Sequence, residues 1–234
     1  MVYGELGAQP LSVDIKSRMI NYWAKLCTSN DTKLSTVLYK LIHTKYLTGE
    51  ITTKWICCVK KILDENGFSN IFDFQGNINY LWLKTSLKRR ILDQFIQCWK
   101  AEIFESSKGL SYRIFKTEWK FEEYLDLLEK KDRMTFCKFR TTNHKLPIEI
   151  GRWYSVNRND RKCLLCNKND LGDEFHYIFE CPYFKITRKQ CLGTYFRKRV
   201  NVCKFKDSFQ NKNQITLRKL CKFINVINKQ LCPP

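Results

Sequence analysis

Glycine and proline are scarce, nine and five in 234 residues. Turn-rich all-β architectures draw heavily on both, so they are disfavoured. No apolar run reaches the roughly twenty residues of a membrane span, which argues against a membrane partner. The opening stretch, MVYGELGAQPLSVDIK, has no basic segment leading into an apolar one, so no secretory signal is visible. A reducing intracellular setting, nucleus or cytoplasm, is therefore expected. Gly-x4-Gly-Lys-Ser/Thr, Gly-x-Gly-x2-Gly and Gly-x-Ser-x-Gly are all missing, so phosphate loops, dinucleotide sites and hydrolase nucleophile elbows are not signalled. No two aspartates are adjacent, which removes the paired metal-binding aspartates of a polymerase palm.

Acidic residues are also in deficit. Forty-two Lys+Arg face 23 Asp+Glu, a net charge of +19. The excess is concentrated late, with 18 basic against 6 acidic residues in positions 151–234. Self-repulsion of this size costs stability unless a polyanion is near, so RNA or DNA is the expected partner, with an acidic membrane surface the competitor and a merely soluble lysine-rich surface the plain reading.

Hydrophobic residues make up 44% of the chain, ample for a core. Their spacing is helical. Ser12 is a candidate N-cap for residues 12–26, where Ile15, Met19, Tyr22, Trp23 and Leu26 form a stripe. A second helix begins after Asn30 or Asp31, with Leu34, Val37, Leu38, Leu41 and Ile42 facing inward. A third, from about Thr52, carries Trp55, Val59, Ile62 and Leu63 and stops at Asn66-Gly67. Residues 66–79 look like an aromatic loop. In the segment 80–105, Leu83, Leu87, Ile91, Phe95 and Trp99 repeat every fourth residue, opposite Lys84, Lys88, Arg89 and Arg90. Helices are also expected over 118–130, 132–141, 185–199 and 214–231. No period-two alternation is sustained, so the class is all-α, multi-helical. A soft division near 145/146 separates a helical region, 1–145, from a basic region, 146–234.

Twelve cysteines in a reducing compartment are metal ligands or small buried apolar groups. Cys27, Cys57, Cys58, Cys98, Cys137, Cys191, Cys203 and Cys221 sit in helical patterns and are expected in the core. The window RKCLLCNKNDLGDEFHYIFECP differs. It orders Cys163-x2-Cys166-x9-His176-x4-Cys181, four ligands of the types that zinc takes in a tetrahedron. Asp173 is a natural N-cap for a short helix carrying His176. Cys181, five residues on, lies about 140° from His176 on an ideal helix, so the helix must end or distort first. Pro182 supplies a cause, because the residue before proline leaves the α region. Four protein ligands leave no open position, the mark of a structural Zn2+ with a turn-helix element around it. An iron–sulfur centre and a catalytic zinc with Glu174 or Glu180 as base are the competing possibilities; Glu174 reads better as a first-turn dipole residue.

Elsewhere, Glu122-Glu123 reads as helical and solvated or paired with lysine, His144 as part of a polar turn, and His43 as structural. Basic and aromatic residues interleave on both sides of the metal window: Arg152, Trp153, Tyr154, Arg158, Arg161 and Lys162 before or at its edge, and Arg188, Lys189, Arg197, Lys198 and Arg199 after it. This mixture suits phosphate neutralisation and base stacking. The plainer picture is a solvated basic face around a buried Trp153.

Three stretches resemble the C-terminal region of non-LTR (LINE-type) retrotransposon polyproteins, downstream of the reverse transcriptase domain. VYGELGAQPLSVDIKSRMINYWAKL is similar to a segment that reads Arg-Gly-Glu-Leu-Gly-x2-Pro-Leu. FCKFRTTNHKLPIEIGRW is similar to the segment preceding the zinc motif, and CLLCNKNDLGDEFHYIFECP to the Cys-Cys-His-Cys segment itself. The resemblance implies a zinc-stabilised, nucleic-acid-binding tail with Cys163, Cys166, His176 and Cys181 as ligands and the upstream polymerase domain as a further partner. It also implies a fragment or domesticated remnant lacking polymerase and endonuclease domains, without enzymatic activity of its own. The alternative is a zinc-stabilised helical scaffold for protein interaction.

Overall fold

The computed structural model describes residues 1–29, 32–75 and 79–231. The expected start of the second helix at Asn30 or Asp31 lies outside them. In chain order the helices are α1 Val2–Leu6, α2 Leu11–Thr28, α3 Leu34–Leu47, α4 Lys54–Glu65, α5 Ser69–Asp73, α6 Tyr80–Glu105, α7 Tyr112–Phe115, α8 Tyr124–Leu127, α9 Lys130–Arg140, α10 Pro147–Trp153, α11 Lys185–Cys191, α12 Thr194–Arg197, α13 Val202–Phe209 and α14 Gln214–Leu231. Among the described residues there is no strand, only two isolated antiparallel bridges, and the protein is all-α. Two compact units form, one from Gln9–Trp99, the other from Met1–Ala8 and Lys100–Pro234. The division thus does not fall at 145/146: α9 packs on α14, and His144 bonds Glu174, across that point.

In the unit Gln9–Trp99, α2 starts at Leu11 behind Pro10, one residue before Ser12, which is inside the helix. Helix α4 behaves as its sequence dictates. Thr53 accepts the Ile56 amide at its start, and Gly67, at φ 76°, lets the Phe68 amide return to the Leu63 carbonyl at its end. The supposed loop after it contains α5, which buries Phe72. Leu83, Leu87 and Ile91 of α6 enter this core with Trp23, Val59 and Leu63, and Phe95 packs against it.

Helix α3 turns four of its five expected inward residues outward, and only Ile42 packs against the core. Leu34, Val37, Leu38 and Leu41 are 73%, 47%, 46% and 53% exposed, while Thr36 and Tyr39 are buried. The polar tips of the buried face decide this. Tyr39 accepts Trp23 Nε1 at 2.7 Å and Gln75 Nε2 at 2.6 Å, and His43 Nε2 meets the Phe72 carbonyl at 3.0 Å. We expect Leu38→Gln to change stability by less than about 0.5 kcal/mol. Tyr39→Phe, which strands two donors, should cost on the order of 1–3 kcal/mol. Urea unfolding of both variants checks the orientation, and a larger loss from Leu38→Gln would refute it.

The second unit is built on stacked aromatic rings. Phe115, Phe136 and Phe139 each stack on Phe209, and Tyr124 meets Phe136 edge-on. Only α8 forms within 118–130. Phe121 instead pairs with Leu6 across an antiparallel bridge, and the Glu122 amide donates to the Glu5 carbonyl at 3.0 Å. This pairing requires Gly7, since a Cβ there, already strained at φ 58°, would stand 2.5 Å from the Phe121 nitrogen. Glu122 is therefore neither helical nor solvated. It pairs with Lys116 Nζ at 2.5 Å and with Arg140, which also holds Glu5 at 2.9 Å. The segment 185–199 breaks at Leu192-Gly193 into α11 and α12, and α13, unexpected from the sequence, is capped by Asn201. The stretch before the metal window holds α10, which is not among the expected helices, with Pro147 in its first turn. Of the cysteines expected in the core, Cys57, Cys58, Cys98 and Cys203 are exposed.

Candidate metal centre

The loop of residues 161–172 folds back on itself. Lys162 bridges Leu171, the Cys163 amide donates to the Asp170 carbonyl at 3.0 Å, and the Gly172 amide donates to the Arg161 carbonyl at 2.9 Å. The polar run between them permits the turn, with Asn169 at φ 57°. The fold-back sets Cys163 and Cys166 side by side, with the Leu165 amide donating to Cys163 Sγ at 3.4 Å.

The second pair of ligands comes from a short helix opened by Asp173, whose Oδ1 accepts the His176 amide at 2.9 Å. Burial pushes the Asp173 carboxyl up to about 6, against that hydrogen bond. After Phe175 the helix widens into a π-turn, His176–Glu180, and the Cys181 amide donates to the His176 carbonyl at 2.8 Å. An i→i+5 bond joins the very residues that an α-helix would turn apart. The distortion expected ahead of Pro182 is thus an inserted wide turn, and Pro182 then begins a 3-10 turn to Phe184.

Cys163 Sγ and Cys181 Sγ lie 3.8 Å apart, far beyond a disulfide bond. Two thiolates each 2.3 Å from one tetrahedral ion would lie about 3.8 Å apart. Cys166 Sγ and His176 Nε2 are 3.4 Å apart, and all four ligand atoms fall within 4.8 Å of one another. Cys163, His176 and Cys181 are buried, and Cys166 is half-buried. These four side chains can hold a metal ion.

The electrostatics agree with that use. Burial raises the Cys163 thiol, but hydrogen bonds from Tyr177 and the Leu165 amide hold it below its ordinary value. Burial, then the neighbouring Cys163 sulfur, pushes Cys181 up to about 12. A cation is what would let both be thiolates. Burial lowers His176, keeping its imidazole neutral and able to donate a lone pair.

Arg188 was expected to face nucleic acid. It is buried, and its guanidinium donates to the Ile178 carbonyl at 2.7 Å and the Cys181 carbonyl at 2.8 Å. These groups lie on the wide turn, so Arg188 ties it together. Arg161 is similarly engaged. Nε and one terminal nitrogen bond the Val156 carbonyl, and the other reaches the Ile148 carbonyl at 2.9 Å. It thereby straps α10 to the metal loop across Gly151, where a Cβ would stand 2.5 Å from its Cγ. Arg197 bonds the Leu192 carbonyl, Arg152 pairs with Glu149, and Lys162 is half-buried. Arg158, Lys189, Lys198 and Arg199 are exposed, as are Trp153 and Tyr154 at 52% and 77%. Trp153 is thus not the buried anchor of a basic face.

His144 and Glu174 also leave their expected places. Both are buried, His144 Nε2 lying 2.9 Å from Glu174 Oε1, while Ser111 Oγ donates to Glu174 Oε2 at 2.8 Å. Both Glu174 carboxylate oxygens are thus engaged. Burial raises Glu174, but hydrogen bonding to and the charge of His144, with Ser111, bring it below the ordinary glutamate value. The stabilisation of a depressed carboxylate is present above its unfolded pKa of about 4.3 and is lost as pH falls through the lower native value. Urea midpoints taken from about pH 6 down to 3 should fall on this acid limb and flatten in Glu174→Gln. An unchanged limb would remove the pair from the linkage.

Comparison of the chain with protein-family models, with curated proteins and with solved structures gives no match.

Proposed function

We propose that the chain is a zinc-stabilised nucleic-acid-binding module without a catalytic step of its own, similar in role to the tail of a non-LTR retrotransposon reverse transcriptase. One observation carries this reading: exposed Trp153, Tyr154 and Arg158 lie at and just beyond the end of a helix that Arg161 straps to the four-ligand loop, in a chain of net charge +19. Zinc is the ion that three thiols and one imidazole at tetrahedral spacing suit. Lys189, Lys198 and Arg199 supply further exposed charge for phosphates. The aromatic pair supplies faces on which bases stack. A reducing intracellular compartment fits a centre that needs free thiols.

Binding of labelled RNA and DNA oligonucleotides should weaken steeply with salt, log affinity falling linearly with log salt. Tyr154→Ala should lose about 1–3 kcal/mol on single strands. Absence of binding at low salt would refute the reading. The chain would then fit a second one, a zinc-stabilised protein-interaction scaffold such as a platform for an upstream polymerase domain. The exposed row Leu34, Val37, Leu38 and Leu41 on α3 favours that alternative.

A further inference from the structure

His176 meets different surroundings at its two ring nitrogens. Nε2 faces the thiols, 3.4 Å from Cys166 Sγ. Nδ1 is buried and has no hydrogen-bond partner, yet Asp170 Oδ2 stands 3.6 Å away and Glu180 Oε2 3.9 Å away. A buried ring nitrogen is seldom left unpaired in a folded protein. Both carboxylates are nearly half exposed, so each has room to close the remaining gap of up to about 1 Å.

We propose that Asp170 and Glu180 are interchangeable outer partners of the metal centre. One of them at a time accepts the Nδ1 proton of His176, which fixes the tautomer that points the Nε2 lone pair at the ion. The proposal rests on the zinc reading of Cys163, Cys166, His176 and Cys181. A ligating imidazole almost always gives its other N–H to a carboxylate, a carbonyl or water, and that partner sets ring orientation and basicity. Here the acceptors come from opposite halves of the site. Asp170 belongs to the folded-back loop, and its own carbonyl receives the Cys163 amide. Glu180 closes the wide turn, one residue before Cys181. A single N–H makes one strong bond, so two acceptors in reach are redundant. Each therefore locks His176 to the segment carrying a different cysteine. Buried Arg188, bonded along the wide turn, supplies positive charge against the extra carboxylate.

The test is zinc affinity of the full chain, measured by competition with a chromophoric chelator. Asp170→Ala and Glu180→Ala should each bind within about threefold of the native chain, and the double variant about 10–100-fold more weakly. Asp170→Glu in the Glu180→Ala background should keep native affinity, which separates a lost acceptor from disturbed folding. Long-range 1H–15N spectra of the zinc-loaded native chain should show His176 protonated at Nδ1 and metal-bound at Nε2. The double variant, saturated with zinc, should show faster exchange of the Nδ1 proton with water. A double variant of native affinity, or a spectrum with Nδ1 on the metal, overturns the assignment while the four-ligand site stands. A native chain that binds no zinc overturns both.

Discussion

Cys181→Ser is expected to reduce zinc affinity by at least about a thousandfold, some 4 kcal/mol, and to loosen residues 161–182. Structural zinc contributes apparent free energies of about 10–16 kcal/mol in small zinc-dependent folds, divided among four bonds that only deprotonated ligands make well. Cys181 is completely buried and 3.8 Å from Cys163, so its loss removes one of the four candidate ligands. A serine hydroxyl is a poor substitute because it does not ionise as a thiol does. The stacked core around Phe209 does not depend on the ion, so helicity should largely survive. Chelator competition, with circular dichroism before and after adding chelator, reads both effects. Chelator should destabilise the native chain and leave Cys181→Ser almost unchanged. Equal zinc affinity in the two chains would show that Cys181 is no ligand.

Arg140→Met should cost about 3–5 kcal/mol, the toll of leaving buried carboxylates without their cation. Arg140 is wholly buried; it donates to Glu5 at 2.9 Å and to the Phe209 carbonyl at 2.7 Å, and it pairs ionically with Glu122 at 2.6 Å. Its guanidinium also lies over the rings of Phe115 and Tyr124. Lys116, whose burial lowers its pKa, covers only the other side of Glu122. Adding Glu5→Gln to Arg140→Met removes one stranded charge and should recover part of the loss. Denaturant unfolding of the single and double variants closes the cycle. A loss below about 1 kcal/mol for Arg140→Met would mean the carboxylates find water instead.

The sequence reveals what depends on neighbours along the chain. Helices α4 and α14 follow from apolar spacing, and α4 from its Thr53 and Gly67 punctuation as well. The four residues that can hold a metal are legible because Cys-x2-Cys and His-x4-Cys are local patterns, and Pro182 announces a distortion even if not its π form. What depends on distant partners is hidden. The face of α3 is chosen by hydrogen bonds to Trp23, Gln75 and Phe72, which outweigh a regular leucine stripe. The supposed helix at 118–130 gives way because residues 121–122 pair with a segment more than a hundred positions earlier. Arg161 and Arg188 resemble surface cations by composition, but backbone carbonyls from other segments claim them. The carboxylates beside His176 Nδ1 carried a fainter signal: Glu180 is four residues from the histidine, and Asp170 lies just inside the loop.

The pairing of Met1–Ala8 with residues beyond Lys100 has a consequence in time. A ribosome adds about 5–20 residues each second. Glu5 and Arg140 are 135 positions apart, so the carboxylate waits about 7 to 27 seconds for its cation. Within that interval the unit Gln9–Trp99 is fully synthesised. Residues 1–8 thus stay unclaimed while the segment after them is made, and their docking is among the later events of folding.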